Sequence, residues 1–140
     1  MDINGIAHIA LTVSDFTASR TFYGRLLPAM GLVPLIDAEG YYYCIGGRTG
    51  VSIQPATEPS AGRFSQSRPG LHHVCFRARE RADVDAFHAL GVELGATVVR
   101  APEETGWAPG YYSTLIEDPD GIRLEMNHVP GKGHLDARGG

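Results

Sequence analysis

The sequence predicts an α+β chain made of two copies of one strand–helix–three-strand unit. Two histidine-led stretches, His8-Ile9-Ala10-Leu11-Thr12-Val13 and His73-Val74-Cys75-Phe76-Arg77-Ala78, alternate apolar residues at period two, as half-buried strands do. Each is followed by an apolar stripe at helical spacing. Each half then ends on two short strands joined by a tight turn, Gly47-Arg48-Thr49-Gly50 in the first and Asp118-Pro119-Asp120-Gly121 in the second. Both turns are rich in residues that tolerate tight backbone geometry.

In the first copy, Ser14-Asp15 supplies an N-cap, and Phe16, Phe22, Tyr23, Leu26, Leu27 and Met30 share one helical stripe. Pro28, which lacks an N–H, is expected to end or kink that helix. Strands are then expected over Leu32 to Ile36, Tyr41 to Gly46 and Val51 to Gln54. In the second copy the matching stripe is Val84, Phe87, Leu90, Gly91 and Leu94, with Gly95 as its stop. Strands over Ala96 to Arg100, Tyr111 to Ile116 and Ile122 to Met126 complete it.

His8 and His73 are 65 positions apart, and Gln54 and Glu125 are 71 apart, so the second copy is six residues longer. The extra length fits the Pro/Gly-bearing stretch Ala101 to Gly110, where insertion costs least. A single domain is expected over 1–129, with module one at 6–57, a linker at 58–70 rich in Ser, Pro and Gly, and module two at 71–129. Residues 130–140 read as a flexible tail.

Composition narrows the class of function. The chain has 140 residues, 43% hydrophobic and 20% charged, with 12 Lys and Arg against 16 Asp and Glu. That is a globular balance, and the formal net charge of −4 argues against a nucleic-acid partner, since such proteins concentrate a basic face. No apolar run is long enough to span a membrane, and the start lacks the pattern of a secretory signal. A cytoplasmic location is therefore expected. Cys44 and Cys75 form no metal or redox motif and read as buried thiols.

Strand parity sorts the side chains. Ile9, Leu11 and Val13 should meet the helix while His8 and Ala10 face away, and in the second copy Val74 and Phe76 pack while His73, Cys75 and Arg77 face away. This prefers His73 over His72 as the partner of His8. Gln54, Arg123 and Glu125 fall on the same open face. A lone strand histidine is ordinarily a hydrogen-bonded core residue; polar residues at matching positions of both copies shift the reading toward a site.

These residues resemble the vicinal oxygen chelate superfamily, which includes glyoxalase I, methylmalonyl-CoA epimerase, extradiol dioxygenases, and the fosfomycin and bleomycin resistance proteins. The resemblance spans about Ile6 to Val129 and rests on His8-Ile9-Ala10-Leu11, Phe22-Tyr23, Leu26-Leu27, His73-Val74-Cys75-Phe76, and Asp118-Pro119-Asp120-Gly121 leading to Glu125. It implies paired βαβββ modules whose curved mixed sheets enclose a cavity, a homodimer, and a small-molecule substrate. It also implies a divalent cation (Ni, Co, Mn, Zn or Fe) held by His8, Gln54, His73 and Glu125, a donor set suited to such ions.

The chemistry implied first is Lewis-acid-assisted proton transfer next to a carbonyl, as in glyoxalase I and the epimerase, with Glu125 alternating between ligand and general base. Glu39 lies near where the epimerase carries a second acid. Extradiol ring cleavage is the alternative, but its tyrosine ten positions before the glutamate is Leu115 here. A non-catalytic drug- or metabolite-binding protein of the bleomycin-resistance type is the other. Fosfomycin-type enzymes use a His, His, Glu set with three protein ligands, a pattern that Gln54 does not predict. For substrate, Arg77 and Arg123 could clamp a carboxylate or phosphate, or pair with local acids such as Glu103 and Glu117. Trp107 and Tyr111 could line the pocket, with Trp107 on a loop read as a lid or as ordinary surface.

Overall fold

The computed structural model describes residues 1–59 and 62–131. The expected linker includes two residues, and the expected tail nine, that lie outside this range. The chain divides into two compact units, Met1–Arg63 and Phe64–Gly140, and the division falls inside the stretch expected to link the modules. Among the described residues no helix is long and apolar enough to cross a membrane.

The first unit runs β1 (His8–Val13), α1 (Phe16–Ala29), β2 (Val33–Ala38), β3 (Tyr41–Gly46) and β4 (Thr49–Pro55), with sheet order β1-β4-β3-β2. The second runs β5 (Val74–Arg77), α2 (Arg81–Glu93), β6 (Thr97–Thr105), β7 (Tyr111–Glu117) and β8 (Arg123–His128), with order β5-β8-β7-β6. Each unit is thus the expected βαβββ module. In each, the first strand pairs parallel to the last and the other pairings are antiparallel.

Both helices start where their caps dictate. The Asp15 carboxylate accepts from the Ala18 N–H at 2.9 Å, and α2 opens on a reciprocal box between Glu80 and Asp83, which satisfies otherwise orphaned donors. Pro28 sits in the last turn of α1, where one missing donor is tolerated, and the chain leaves through Gly31 at φ +87°. Val13, Phe22, Tyr23, Leu26, Leu27, Tyr42, Cys44, Val51 and Ile53 form the core of the first unit, and Val74, Val84, Phe87, Ile116, Leu124 and Met126 that of the second. Cys44 is buried as expected, whereas Cys75 keeps part of its surface exposed.

Several strands differ in extent from the sequence reading, β2 and β8 each ending two residues later than expected. β6 continues to Thr105, so Ala101 to Thr105, read as loop, is strand. It is the edge of its sheet, where Pro102 can leave its missing donor on the unpaired side, and register shifts at Val98/Arg100 and Arg100/Glu103 absorb the irregularity. β4 starts at Thr49, because Gly47 and Arg48, at φ +56° and +64°, make the two-residue hairpin turn that matches strand twist.

A second duplication appears only in space. Arg20 on α1 donates to Asp37 on β2 at 2.9 and 2.5 Å and lies 3.9 Å over the Tyr42 ring. Arg81 on α2 donates to Glu104 on β6 at 2.5 Å and lies 4.8 Å over the Tyr112 ring. In both units the acid and the tyrosine are direct cross-strand partners. Each module therefore fastens its helix to its outer hairpin by the same arginine–acid–tyrosine clamp.

Candidate functional site

In the second unit, register places the site. Cys75 pairs with Glu125, Glu125 with Leu115, and Leu115 with Arg100, so these four share the sheet face opposite α2. His73 stands immediately before β5 and reaches along this face, its Nε2 3.0 Å from Glu125 Oε2. The other carboxylate oxygen, Oε1, accepts from the Tyr111 hydroxyl at 2.7 Å and lies 3.6 Å from Arg100 Nη2. Glu125 is only 7% exposed, so this ring of donors replaces the water a buried carboxylate would otherwise lack.

The hydroxyl proton of Tyr111 is tightly held. Burial, and then the bond to Glu125, push its pKa far above the usual phenol range. The Cys75 thiol is pushed up to about 12, first by desolvation and then by the Glu125 charge. It is therefore held as a neutral thiol at physiological pH.

Two donors 2.1 Å from one ion and at right angles are separated by about 3.0 Å. The His73 Nε2 and Glu125 Oε2 pair has this separation, and an imidazole with a carboxylate suits a divalent cation. These two residues fit the implied ion. Among the described residues no group of three or more His, Cys, Asp or Glu side chains is arranged to hold a metal ion.

The first unit presents His8 on the corresponding face, its ring edge-on to Tyr43 with centroids 6.5 Å apart. Gly50 is the register partner of His8, and a Cβ there would lie 2.5 Å from the Tyr43 Oη. Glycine is what lets Tyr43 lie across the strand toward His8.

Register corrects the pairing of Gln54 with Glu125. Glu125 is two positions beyond the residue opposite His73, and the residue two beyond the partner of His8 is Ser52, not Gln54. Gln54 pairs with Thr12, four positions along β1 from His8 or roughly 13 Å at strand rise, and is exposed. Ser52, 2% exposed, occupies the place matching Glu125. Glu39 is also displaced. It lies in the exposed β2–β3 turn at the end of the sheet where β4 finishes at Pro55, whereas His8 lies at the end where β4 begins.

Arg123 does not stand ready for a substrate, because its Nε donates to Glu117 Oε2 at 3.2 Å. Arg77 is exposed on the same face as Glu125, opposite Asn127. Tyr111 is 8% exposed and committed to Glu125, so it braces the carboxylate more than it lines a wall. Trp107 is 76% exposed at the tip of the β6–β7 hairpin. Sequence reasoning missed Arg100, whose Nη2 also donates to Ser113 Oγ at 2.7 Å, and it missed the position of His72. His72 Nδ1 lies 2.8 Å from His73 Nδ1. No spacing rule singles out Arg100, because its reach depends on the irregular register of β6. Asp118, by contrast, shapes the β7–β8 turn. It is 2% exposed, and its Oδ1 accepts from the Asp120 and Ile122 N–H groups, each at 2.9 Å.

Comparison with known proteins agrees with this architecture. The family model described as "Glyoxalase/Bleomycin resistance protein/Dioxygenase superfamily" matches residues 5–126. The metallothiol transferase FosB of Shouchella clausii is 28% identical over 126 residues, covering 89% of this chain and 80% of that protein. A glyoxalase/bleomycin resistance protein from Albidiferax ferrireducens superposes with a TM-score of 0.70 at 27% identity, covering 89% and 98% of the two chains. Lactoylglutathione lyase from Agrobacterium tumefaciens gives 0.66 at 25% identity, covering 91% and 96%. The duplicated βαβββ architecture and the family match agree: the chain belongs to the glyoxalase/bleomycin resistance protein/dioxygenase superfamily.

Proposed function

We propose that the chain is a divalent-cation-dependent enzyme acting on a small substrate that offers adjacent oxygen atoms, with proton transfer next to a carbonyl as its reaction. The observation that carries this reading is the His73–Glu125 pair at 3.0 Å, braced by Tyr111 and Arg100. His73 and Glu125 would hold the cation, and the family resemblance adds His8 to the set. The cation would supply Lewis-acid polarisation of a substrate oxygen.

The chain's own residues divide the remaining work. Tyr111 and Arg100 fix Glu125 Oε1, so Oε2 is the oxygen turned to His73 and the one available to hold or move a proton. Arg77, open on the same face, is suited to a carboxylate or phosphate on the substrate. Trp107, on its exposed hairpin tip, would serve as a cover. A cytoplasmic homodimer belongs to the same proposal.

A second reading has its own support. With Gln54 displaced from the place that matches Glu125, the resemblance leaves His8, His73 and Glu125 as candidate donors, the pattern it assigns to fosfomycin-type enzymes, and FosB is a relative. That reading replaces proton transfer by addition of a thiol to an electrophilic carbon. The test is a paired assay on protein reconstituted with Ni, Co, Mn or Zn. Solvent deuterium entering the carbon next to the carbonyl of a 2-oxoaldehyde–thiol adduct supports the first reading. Cation-dependent consumption of thiol with an epoxide supports the second. Neither activity in any reconstituted form, together with tight binding of an intact ligand, would return the chain to the class of binding proteins.

A further inference from the structure

The imidazoles of His72 and His73 meet edge to face, with centroids 5.0 Å apart and planes at 78°. Their Nδ1 atoms are 2.8 Å apart, a hydrogen bond in which one ring donates and the other accepts. The remaining nitrogen of His73, Nε2, lies 3.0 Å from Glu125 Oε2. Both nitrogens of His73 are thus engaged, and which of them carries the proton is coupled to His72.

We propose that His72 is a positioning residue: in the cation-bound form its Nδ1 would accept from His73 Nδ1–H and so hold His73 in the tautomer whose Nε2 lone pair faces a divalent cation beside Glu125. This rests on the reading of His73 and Glu125 as donors. Strand parity sets His72 aside as a ligand, but β5 begins only at Val74, and ahead of it the backbone lets the two adjacent rings meet. Ligating histidines ordinarily give their second N–H to a carboxylate or carbonyl, which fixes the tautomer. A second imidazole differs in that it can donate as well as accept.

The two states balance. Without a cation, His73 carries its proton on Nε2 and donates to Glu125, while His72 carries its own on Nδ1 and donates to His73 Nδ1. With Nε2 engaged by a cation, its proton would have left to solvent, the His72 Nδ1 proton would stand on His73 Nδ1, and a solvent proton would occupy His72 Nε2. Each ring is neutral and singly protonated before and after. His72 is exposed, so solvent reaches its outer nitrogen.

The experiment uses the full chain with ¹⁵N-labelled imidazoles at pH 8, titrated with zinc alone and followed by long-range ¹H–¹⁵N correlation, with affinity measured by chelator competition. One equivalent of zinc is expected to switch the tautomer of both rings. His72→Phe keeps a ring but offers no acceptor and is expected to weaken zinc binding about tenfold, with little change in the melting temperature of the zinc-free protein. In His72→Asn an amide oxygen can stand where Nδ1 stood, and affinity should return to within about threefold of wild type. Wild-type affinity in His72→Phe, or a His72 ring that keeps its tautomer while His73 changes, would overturn the proposal. His73→Ala separates the levels. If it abolishes zinc binding while His72→Phe does nothing, only the role of His72 falls; if it leaves binding intact, the donor reading falls too.

Discussion

Removing one oxygen from Tyr111 probes the brace around Glu125. Tyr111 and Glu125 are 8% and 7% exposed, and the hydroxyl donates at 2.7 Å. A buried hydrogen bond to a charged group contributes about 1.5–3 kcal/mol. Arg100 Nη2, at 3.6 Å, can close part of the gap, so Tyr111→Phe should cost about 2 kcal/mol at pH 7.5, measured by urea unfolding with an unchanged m-value. The pH dependence has a definite sign. The pKa of Tyr111 is raised in the folded protein, so its stabilising contribution is complete below the unfolded phenol value near 10 and is lost as pH rises from there toward the folded value. At pH 10.5 the unfolded chain gains about 0.8 kcal/mol from ionising this one phenol. The gap between wild type and Tyr111→Phe should therefore narrow to about 1.2 kcal/mol, because other alkaline titrations are common to both proteins. A gap below 0.5 kcal/mol at pH 7.5, or one that widens with pH, would refute the reasoning.

Other substitutions test the packing. In Gly91→Ala the new Cβ would stand 2.8 Å from Ile116 Cδ1; the cost should be about 1–2 kcal/mol by urea unfolding and should shrink when Ile116→Val removes that methyl. Asp118→Ala leaves the buried Ile122 N–H and the half-buried Asp120 N–H without their acceptor and should lose about 2 kcal/mol in the same measurement. In Gly24→Ala the new Cβ collides with the Arg20 guanidinium. Gain in helix propensity and loss of the clamp should nearly cancel in the melting temperature, whereas in an Arg20→Ala background the same change should raise it by about 3 °C.

What the sequence discloses and what it conceals have physical causes. Alternation fixes which face a side chain takes, so the buried sets Leu11, Val13, Val51, Ile53 and Leu124, Met126 were readable from period two alone. Parity leaves register open by steps of two, and this is where Gln54 went astray. Aligning Gln54 and Glu125 as strand ends assumes that both final strands stop at the same place, yet β4 ends one residue after Gln54 while β8 runs three beyond Glu125. The turns differ as well: two residues between β3 and β4, five between β7 and β8. Pro102 concealed the second half of β6, because proline is compatible with a strand only at an edge, and edges are a tertiary property. The arginine–acid–tyrosine clamps left no repeat in the sequence. Arg20 and Asp37 are 17 positions apart and Arg81 and Glu104 are 23 apart, and the acid changes type. His72 was legible as a residue type but not as a partner, since its direction depends on where β5 begins.

The most direct measurement is cation stoichiometry by elemental analysis, made on protein expressed without a metal-binding tag and compared with Glu125→Ala and His73→Ala. The account predicts one divalent cation per wild-type chain and loss of most of it in each variant, with both variants still folded by circular dichroism. Full retention in both, or a wild-type chain that takes up none of Ni, Co, Mn, Zn or Fe, would contradict it.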